Sequence, residues 1–223
     1  IKNGAPQLLA VTISGGATSG SNIVNTVPVA EGDYVTLLCH PDSTPTAVRA
    51  YWGFTFVTDE IGFFPILGGT EFPVDAAATE YNYVGSRGVD WTGVEANFYR
   101  CIQKCKLSNL YVKLDAAPGA GDAHILALRR NGATTLLSVT ISGAVDTTGQ
   151  DTTNEIEVVD DDLINVISTH TGTPVERDCA WSLRGKAGID STLHLKLGLG
   201  GYGNQGGRLK RIPVWHRVHN RLH

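Results

Sequence analysis

The sequence predicts an all-β protein made of two tandem, related antiparallel β-sandwich lobes of jelly-roll type, followed by a C-terminal strand and a basic tail. Two observations lead to this prediction. The segment 3–52 recurs at 131–181, and short alternating apolar stretches are separated by Gly-rich and Asn-rich turns. The chain has 223 residues, which allows one or two domains, and the duplication favours two.

The two copies open with nearly the same residues. NGAPQLLAVTISG at 3–15 and NGATTLLSVTISG at 131–143 coincide at ten of thirteen positions. After one inserted residue the offset rises from 128 to 129, and Trp52 then aligns with Trp181. Both tryptophans are therefore predicted to be core residues in equivalent positions.

The elements follow from the apolar period and the turn residues. Asn3-Gly4 and Asn131-Gly132 predict tight hairpin turns, since both residue types accept positive φ. The strands that return from these turns are predicted at 7–14 and 135–142. Alternating or short apolar runs predict the other strands of the second copy, at 107–114, 124–130, 155–159, 163–169 and 178–184.

Four segments organise the chain. The first β-sandwich repeat is predicted at 1–57, with its front half missing, and the second, complete repeat at 96–184. Residues 58–95 form an aromatic-rich linker, and residues 185–223 form a C-terminal extension. A sandwich that lacks strands must be covered by an earlier segment, by linker residues 53–69 or by another chain.

The C-terminal extension supplies the candidate docking residues. Alternating leucines predict a strand at 191–199, with one apolar face suited to donation to another subunit. The tail 208–223 holds five Lys or Arg and no acid, whereas the rest of the chain carries a net charge of −9. Docking on an acidic partner surface is favoured over nucleic-acid binding. The predicted partner-docking residues are Leu193, Leu195, Leu197, Leu199, Arg208, Lys210, Arg211, Trp215, Arg217 and Arg221.

No motif in the sequence points to an enzyme. The chain has no P-loop, GxGxxG, HExxH or GxSxG, and no catalytic, cofactor or metal residue is predicted. Asp122 and His124 form an acid–base candidate, but a surface turn and an edge-strand histidine are favoured. A solvated turn is favoured over a Ca²⁺ site for the acids at 160–162.

Cysteines and aromatic residues are also assigned structural roles. Buried free thiols are favoured for Cys39, Cys101, Cys105 and Cys179, and a zinc site that joins Cys101 and Cys105 to His124 is disfavoured. Packing is favoured over a sugar-stacking platform for the aromatic side chains between positions 51 and 99. No stretch approaches the ~20 apolar residues of a membrane helix, and no membrane partner is expected.

The second copy resembles a family of repeats. Residues 109–143, NLYVKLDAAPGAGDAHILALRRNGATTLLSVTISG, with DLINVIST at 162–169 and Trp181, look like a β-sandwich repeat common in predicted bacteriophage structural proteins. The resemblance implies a virion component, such as a capsid decoration, head-fibre or tail-associated protein. It also implies assembly in the host cytoplasm, without catalytic residues or a cofactor.

The partners implied are other subunits of a homo-oligomer and capsid or tail proteins. The alternative function is a carbohydrate-binding module that mediates surface attachment.

Overall fold

The structure is a computed structural model that describes residues 1–187, apart from 31, 43, 45, 47–51, 71, 86–88 and 99 and the side chains of Arg100 and Cys101. The chain divides into two compact units, Ile1–Thr55 and Phe56–His223, called the first and the second unit. The C-terminal extension from residue 188 lies outside the described residues.

The predicted all-β class is confirmed, and every regular element among the described residues belongs to the second unit. A single 3₁₀ helix spans Glu95–Phe98 in that part of the chain, and no helix there is long and apolar enough to cross a membrane. The strands are β1 Phe63–Gly69, β2 Glu80–Asn82, β3 Arg100–Cys101, β4 Cys105–Leu114, β5 Gly119–Arg130, β6 Ala133–Gly143, β7 Thr148–Val158, β8 Leu163–Thr171 and β9 Cys179–Ala187.

The strands form two antiparallel sheets in a sandwich-like arrangement. One sheet has the order β1-β9-β4-β7, and the other has the order β2-β8-β5-β6, with the short β3 also paired to β8. Strands β4 and β5 therefore occupy interior positions, one in each sheet. β4 is hydrogen-bonded to β7 and β9, and β5 is hydrogen-bonded to β6 and β8.

The alternation predicted for residues 107–114 is confirmed from Leu110 onwards and is wrong before it, because a bulge with positive φ at Asn109 brings Leu107 into the core as well. Leu110, Val112 and Leu114 are almost fully buried, whereas Tyr111 and Lys113 between them remain half-buried. Successive side chains of a strand point to opposite faces, so the first three enter the core between the sheets. Burying one such side chain is worth about 1.5–3 kcal/mol relative to leaving it in water.

The hairpin predicted at Asn131-Gly132 is confirmed. Both residues have positive φ, 52° and 79°, and the strands on either side pair Arg130 with Ala133. Consecutive positive φ angles give the turn the twist of the strands that it joins.

The segment predicted as an aromatic-rich linker contributes to the sandwich of the second unit. β1 pairs along its whole length with β9, and the Arg184 guanidinium lies 3.6 Å from the centre of the Phe63 ring. Val74, Val84 and Trp91 are buried in the core.

The predicted strand at 7–14 is wrong for the structure described. Residues 5–14 form no strand, and the described residues of the first unit contain only isolated bridges, which join Lys2 to Ala5 and to Val35. The first unit therefore differs from the second in strand content, although the two sequences align.

Candidate assembly site

An asparagine–aspartate pair holds the turn regions of the second unit together. The Asn131 side chain donates to Asp162 Oδ1 over 2.6 Å, and its own oxygen accepts from the Leu163 N–H at 2.8 Å. The second oxygen of Asp162 accepts from the Val159 N–H at 2.9 Å. The hydrogen bonds from Val159 and Asn131 lower the pKa of Asp162, because they stabilise its charged form.

The first unit contains the same arrangement at the aligned positions. The Asn3 side chain donates to Asp33 Oδ1 over 2.6 Å, and its oxygen accepts from the Tyr34 N–H at 2.7 Å. The other Asp33 oxygen accepts from the Ala30 N–H at 2.7 Å. Hydrogen bonds from Lys2, Ala30 and Asn3 lower the pKa of Asp33 to about 2.

A glycine contact repeats in the same way. A Cβ on Gly149 would lie 2.5 Å from Val139 Cγ1, and a Cβ on Gly20 would lie 2.7 Å from Val11 Cγ1. Gly20 aligns with Gly149, and Val11 aligns with Val139. The first unit thus keeps the turns and close approaches of the second unit without its strands.

The units differ in what covers their apolar side chains. In the second unit Val139, Ile141, Val158, Ile164 and Val166 are at most 3 % exposed. Their first-unit counterparts are between 47 % and 55 % exposed, and together they are called the open face: Val11, Ile13, Val29, Val35 and Leu37.

One aligned pair shows that side-chain direction is retained. Leu8 and Leu136 point outward in their units, with exposures of 82 % and 80 %. The exposure of the open face therefore comes from a missing cover, because the side chains of the two copies point in corresponding directions.

The part of the second unit that has no counterpart among the described residues of the first unit includes β4 and most of β5. Leu110, Val112, Leu126 and Leu128, from β4 and β5, lie in the same core as the buried counterparts of the open face. The described residues of the first unit include no counterpart of β4 and only the final positions of β5. The described segments on either side therefore form no sheet, and side chains take over some of the backbone hydrogen bonds, as Asn22 donates to the carbonyls of Leu8 and Ala10.

The two tryptophans show the same difference. Trp181 is 3 % exposed, donates from its indole to the Val84 carbonyl at 2.9 Å and packs 5.7 Å from Trp91. The prediction that Trp52 is buried is wrong, since it is 47 % exposed beside Phe54. Val84 and Trp91 precede the aligned region, so the first unit has no described counterpart of either contact.

The residues predicted to dock on a partner are not tested by this structure. All ten, from Leu193 to Arg221, lie outside the described residues. The open face and the Asn–Asp pairs were not predicted as a site from the sequence. The signal was available, because Asn3 and Asp33 align with Asn131 and Asp162, but the sequence does not show that these residues hydrogen-bond.

The other candidate chemical groups have structural contacts. Asp122 accepts from the Thr173 N–H at 3.0 Å, and Asp160 accepts from the Lys104 N–H at 3.0 Å. Within the described ranges, no three His, Cys, Asp or Glu side chains lie close enough to hold a metal.

The prediction of buried thiols holds for two cysteines and is wrong for a third. Cys105 and Cys179 are buried, and burial raises the pKa of Cys105 to about 11 and that of Cys179 to about 12. Cys39 is exposed, whereas the aligned Ser168 of the second unit is buried. The difference matches that of the open face, whose side chains are also uncovered in the first unit. The Cys101 side chain is not described.

His124 is not on an edge strand, as the sequence suggested, because β5 is an interior strand. It is fully buried, its Nε2 lies 2.9 Å from the Val175 carbonyl oxygen, and it pairs across the sheet with His170. Burial lowers its pKa from the ordinary value of 6.5, and the charges of His170 and Arg177 lower it further, against the opposing hydrogen bond to Val175.

We expect this histidine to make the second unit less stable in mild acid. The unfolded chain binds the proton more readily, so stability is fully present above pH 6.5 and falls as the pH drops through 6.5 towards the folded-state value. Melting temperatures between pH 7.5 and 5 measure the effect. His124→Gln retains a donor for Val175 and should show a smaller decrease, and an unchanged decrease would contradict the assignment to His124.

No known family model matches the sequence, and no curated protein shows significant similarity to it.

Proposed function

We propose that this chain is a structural and assembly protein of a virus particle, built from tandem related β-sandwich lobes of jelly-roll type and acting through protein–protein contacts. Capsid decoration, head-fibre and tail-associated proteins are the roles that fit. Its partners are other copies in a homo-oligomer together with capsid or tail proteins, and it assembles in the host cytoplasm and remains in the virion.

One observation carries this proposal, namely the open face of the first unit. Five aliphatic side chains that are buried in the second unit are about half exposed in the first, although the turns around them are formed. Their counterparts lie in one core cluster of the second unit, and exposed apolar patches typically mark interaction surfaces. A unit with formed turns and an uncovered core face is suited to fold fully as it associates.

The segment between the two aligned repeats provides a second line of support. β1 lies outside the aligned repeat, yet it completes a sheet of the second unit by pairing with β9. A repeat whose sheet is extended by a strand from the neighbouring segment is suited to a chain of connected sandwiches. The predicted strand at 191–199 follows the second repeat as β1 follows the first, since Leu193 is as far from Trp181 as Phe64 is from Trp52.

A carbohydrate-binding module is the second candidate function. The observation that favours it is the exposure of Trp52 and Phe54, at 47 % and 45 %, with ring centres 5.2 Å apart. Exposed aromatic rings stack on sugar faces, but the same exposure follows from the missing cover. Loss of glycan binding in Trp52→Ala, with an unchanged native mass, would favour this function.

The test of the proposed function is the association state of the full chain. Sedimentation velocity over a concentration series should show a homo-oligomer, and a chain that ends at Ala187 should associate more weakly. The two chains should differ less in association at high salt, because the basic tail acts through charge. Exposed charges are screened beyond about 8–10 Å at physiological ionic strength.

Two outcomes would contradict this assignment. A full chain that remains monomeric throughout the concentration series, including in mixtures with purified virion components, would contradict an assembly role. If the truncated chain associates as well as the full chain at low and high salt, the tail does not contribute to the contact. If truncation instead abolished binding to nucleic acid without affecting association, the tail would be a nucleic-acid contact.

A further inference from the structure

We propose that His124 is a pH-sensitive latch on the connection between β8 and β9, and that protonation of its imidazole ring releases this connection. The connection comprises residues 172–178. The latch lies within the second unit and is independent of the assembly role proposed above.

The connection has few of the contacts that hold a strand in place. Its residues belong to no strand, and the only β-bridge that they form among the described residues joins Arg177 to Val74. Apart from the buried Pro174 and the half-buried Arg177, its side chains are exposed. Segments of this kind open locally at a lower free energy than the whole domain does.

Hydrogen bonds to β5 and to the loop before it hold the connection on the sandwich. Val175 is held at both of its backbone groups, since its N–H donates to the Pro118 carbonyl at 2.8 Å and its carbonyl oxygen lies 2.9 Å from His124 Nε2. The Thr173 N–H donates to Asp122 Oδ1 at 3.0 Å. Among these contacts, the one to His124 involves the side-chain type whose charge ordinarily changes between pH 5 and 8.

The contact to Val175 fixes the tautomer of His124. A carbonyl oxygen can only accept a hydrogen bond, so Nε2 carries the proton and Nδ1 is bare at neutral pH. Nδ1 is buried and has no hydrogen-bond partner in the described part of the chain. A second proton on the ring would therefore reside at Nδ1, where neither solvent nor a described acceptor can stabilise it.

The charges around His124 also oppose a second proton. His170 lies directly across the sheet on β8, and its own Nδ1 is likewise buried with no partner among the described residues. Burial lowers the pKa of His124 most, and the charges of His170 and Arg177 lower it further. The residue opposite on β6 is Ile141, which brings no compensating charge.

The carboxylates near the connection are engaged elsewhere. Asp122, on the same strand as His124, accepts from a backbone N–H of the connection. Glu176 acts on Glu80, whose pKa is raised by burial first and by neighbouring carboxylates next. Asp178 adds to the raised pKa of Cys179, which burial mainly causes. The protonated ring would thus lack a counter-ion among the described residues.

Acid therefore favours the form in which the connection has moved away from the ring. In that open form the imidazole reaches water and has its ordinary pKa of 6.5. Because the ring stays neutral in the closed form, lowering the pH from 7.5 to 5.5 should favour the open form by about tenfold.

Hydrogen exchange of the full chain at pH 7.5 and 5.5, followed by mass spectrometry, tests the latch. Protection factors are compared, because they correct for the direct effect of pH on the exchange reaction. We expect the protection factor of the Val175 amide to fall about tenfold between the two pH values. Those of residues 107–114 in β4 should stay within about twofold, since the strands remain paired.

His124→Gln retains a donor for the Val175 carbonyl and cannot titrate, so it should lose the pH dependence over 172–178. His40→Gln is the matched control, because His40 is exposed in the first unit, and it should leave that dependence unchanged. The latch is overturned if His124→Gln shows the same fall in protection as the unmodified chain. It is also overturned if protection over 107–114 falls as much as over 172–178, which indicates global unfolding.

The imidazole nitrogens of the unmodified chain provide a second measurement that requires no variant. Nitrogen-15 NMR should show His124 as the Nε2–H tautomer at pH 7.5, and still neutral at pH 5.5 in the closed form. A ring that carries its proton on Nδ1 at pH 7.5 would overturn the latch. So would a ring that is protonated at pH 5.5 while the Val175 amide keeps its protection.

Discussion

Replacing Trp181 with Ala is expected to destabilise the second unit by about 3–5 kcal/mol, the usual cost of removing a large buried aromatic side chain. Trp181 is 3 % exposed, packs on Trp91 and lies against the backbone of Gly68, and its indole donates to the Val84 carbonyl. The variant would leave a cavity and an unpaired carbonyl. Urea unfolding of the full chain, followed by tryptophan fluorescence and near-ultraviolet circular dichroism, measures the loss.

Trp52→Ala is the matched control. The residue occupies the aligned position but is 47 % exposed, so its removal should change the unfolding free energy of the second unit by no more than about 0.5 kcal/mol. Equal losses in the two variants would contradict the difference in cover between the units.

The second large effect is expected for Gly149→Ala, which should cost about 1–3 kcal/mol through overpacking. Its Cβ would lie 2.5 Å from Val139 Cγ1 and 3.1 Å from Ile141 Cγ1, both in buried side chains of β6. Those side chains are enclosed by the core and have no open space to move into. Thermal and urea unfolding of the second unit measure this cost.

Gly20→Ala places a Cβ in the equivalent contact, 2.7 Å from Val11 Cγ1. Val11 is 49 % exposed, so it can rotate away, and the variant should change stability much less than Gly149→Ala does. A large loss from Gly20→Ala in the unmodified chain would show that the open face is covered.

Local signals in the sequence account for the correct part of the fold. The alternation in 107–114 predicts β4, and Asn131-Gly132 predicts the hairpin between β5 and β6, because these features depend on the residues themselves. The duplication also indicates which positions make equivalent contacts, because Gly20 lies against Val11 Cγ1 as Gly149 lies against Val139 Cγ1. Short-range pattern is informative wherever neighbouring residues determine the conformation.

The same local signals failed where pairing with another segment decides the outcome. Residues 7–14 have the apolar pattern of β6 and follow the same turn, yet they form no strand. The reason is that β6 pairs with β5, which precedes it, and the described residues of the first unit contain only the end of that strand. Trp52 is exposed and Cys39 accessible for the same reason.

The sequence alone therefore predicts the all-β class, the turns and the apolar face of uninterrupted strand segments, since these depend on φ preferences and on a period of two residues. The bulge at Asn109 in β4 breaks this period and was not predicted. Which apolar face is covered was decided only by the tertiary structure, because burial depends on segments far apart in the chain. The aligned Leu8 and Leu136 are both mostly exposed, whereas Val35 is 53 % exposed and its counterpart Ile164 is fully buried. Aligned side chains thus share a direction, and the interior strands β4 and β5 determine whether that direction leads into a core.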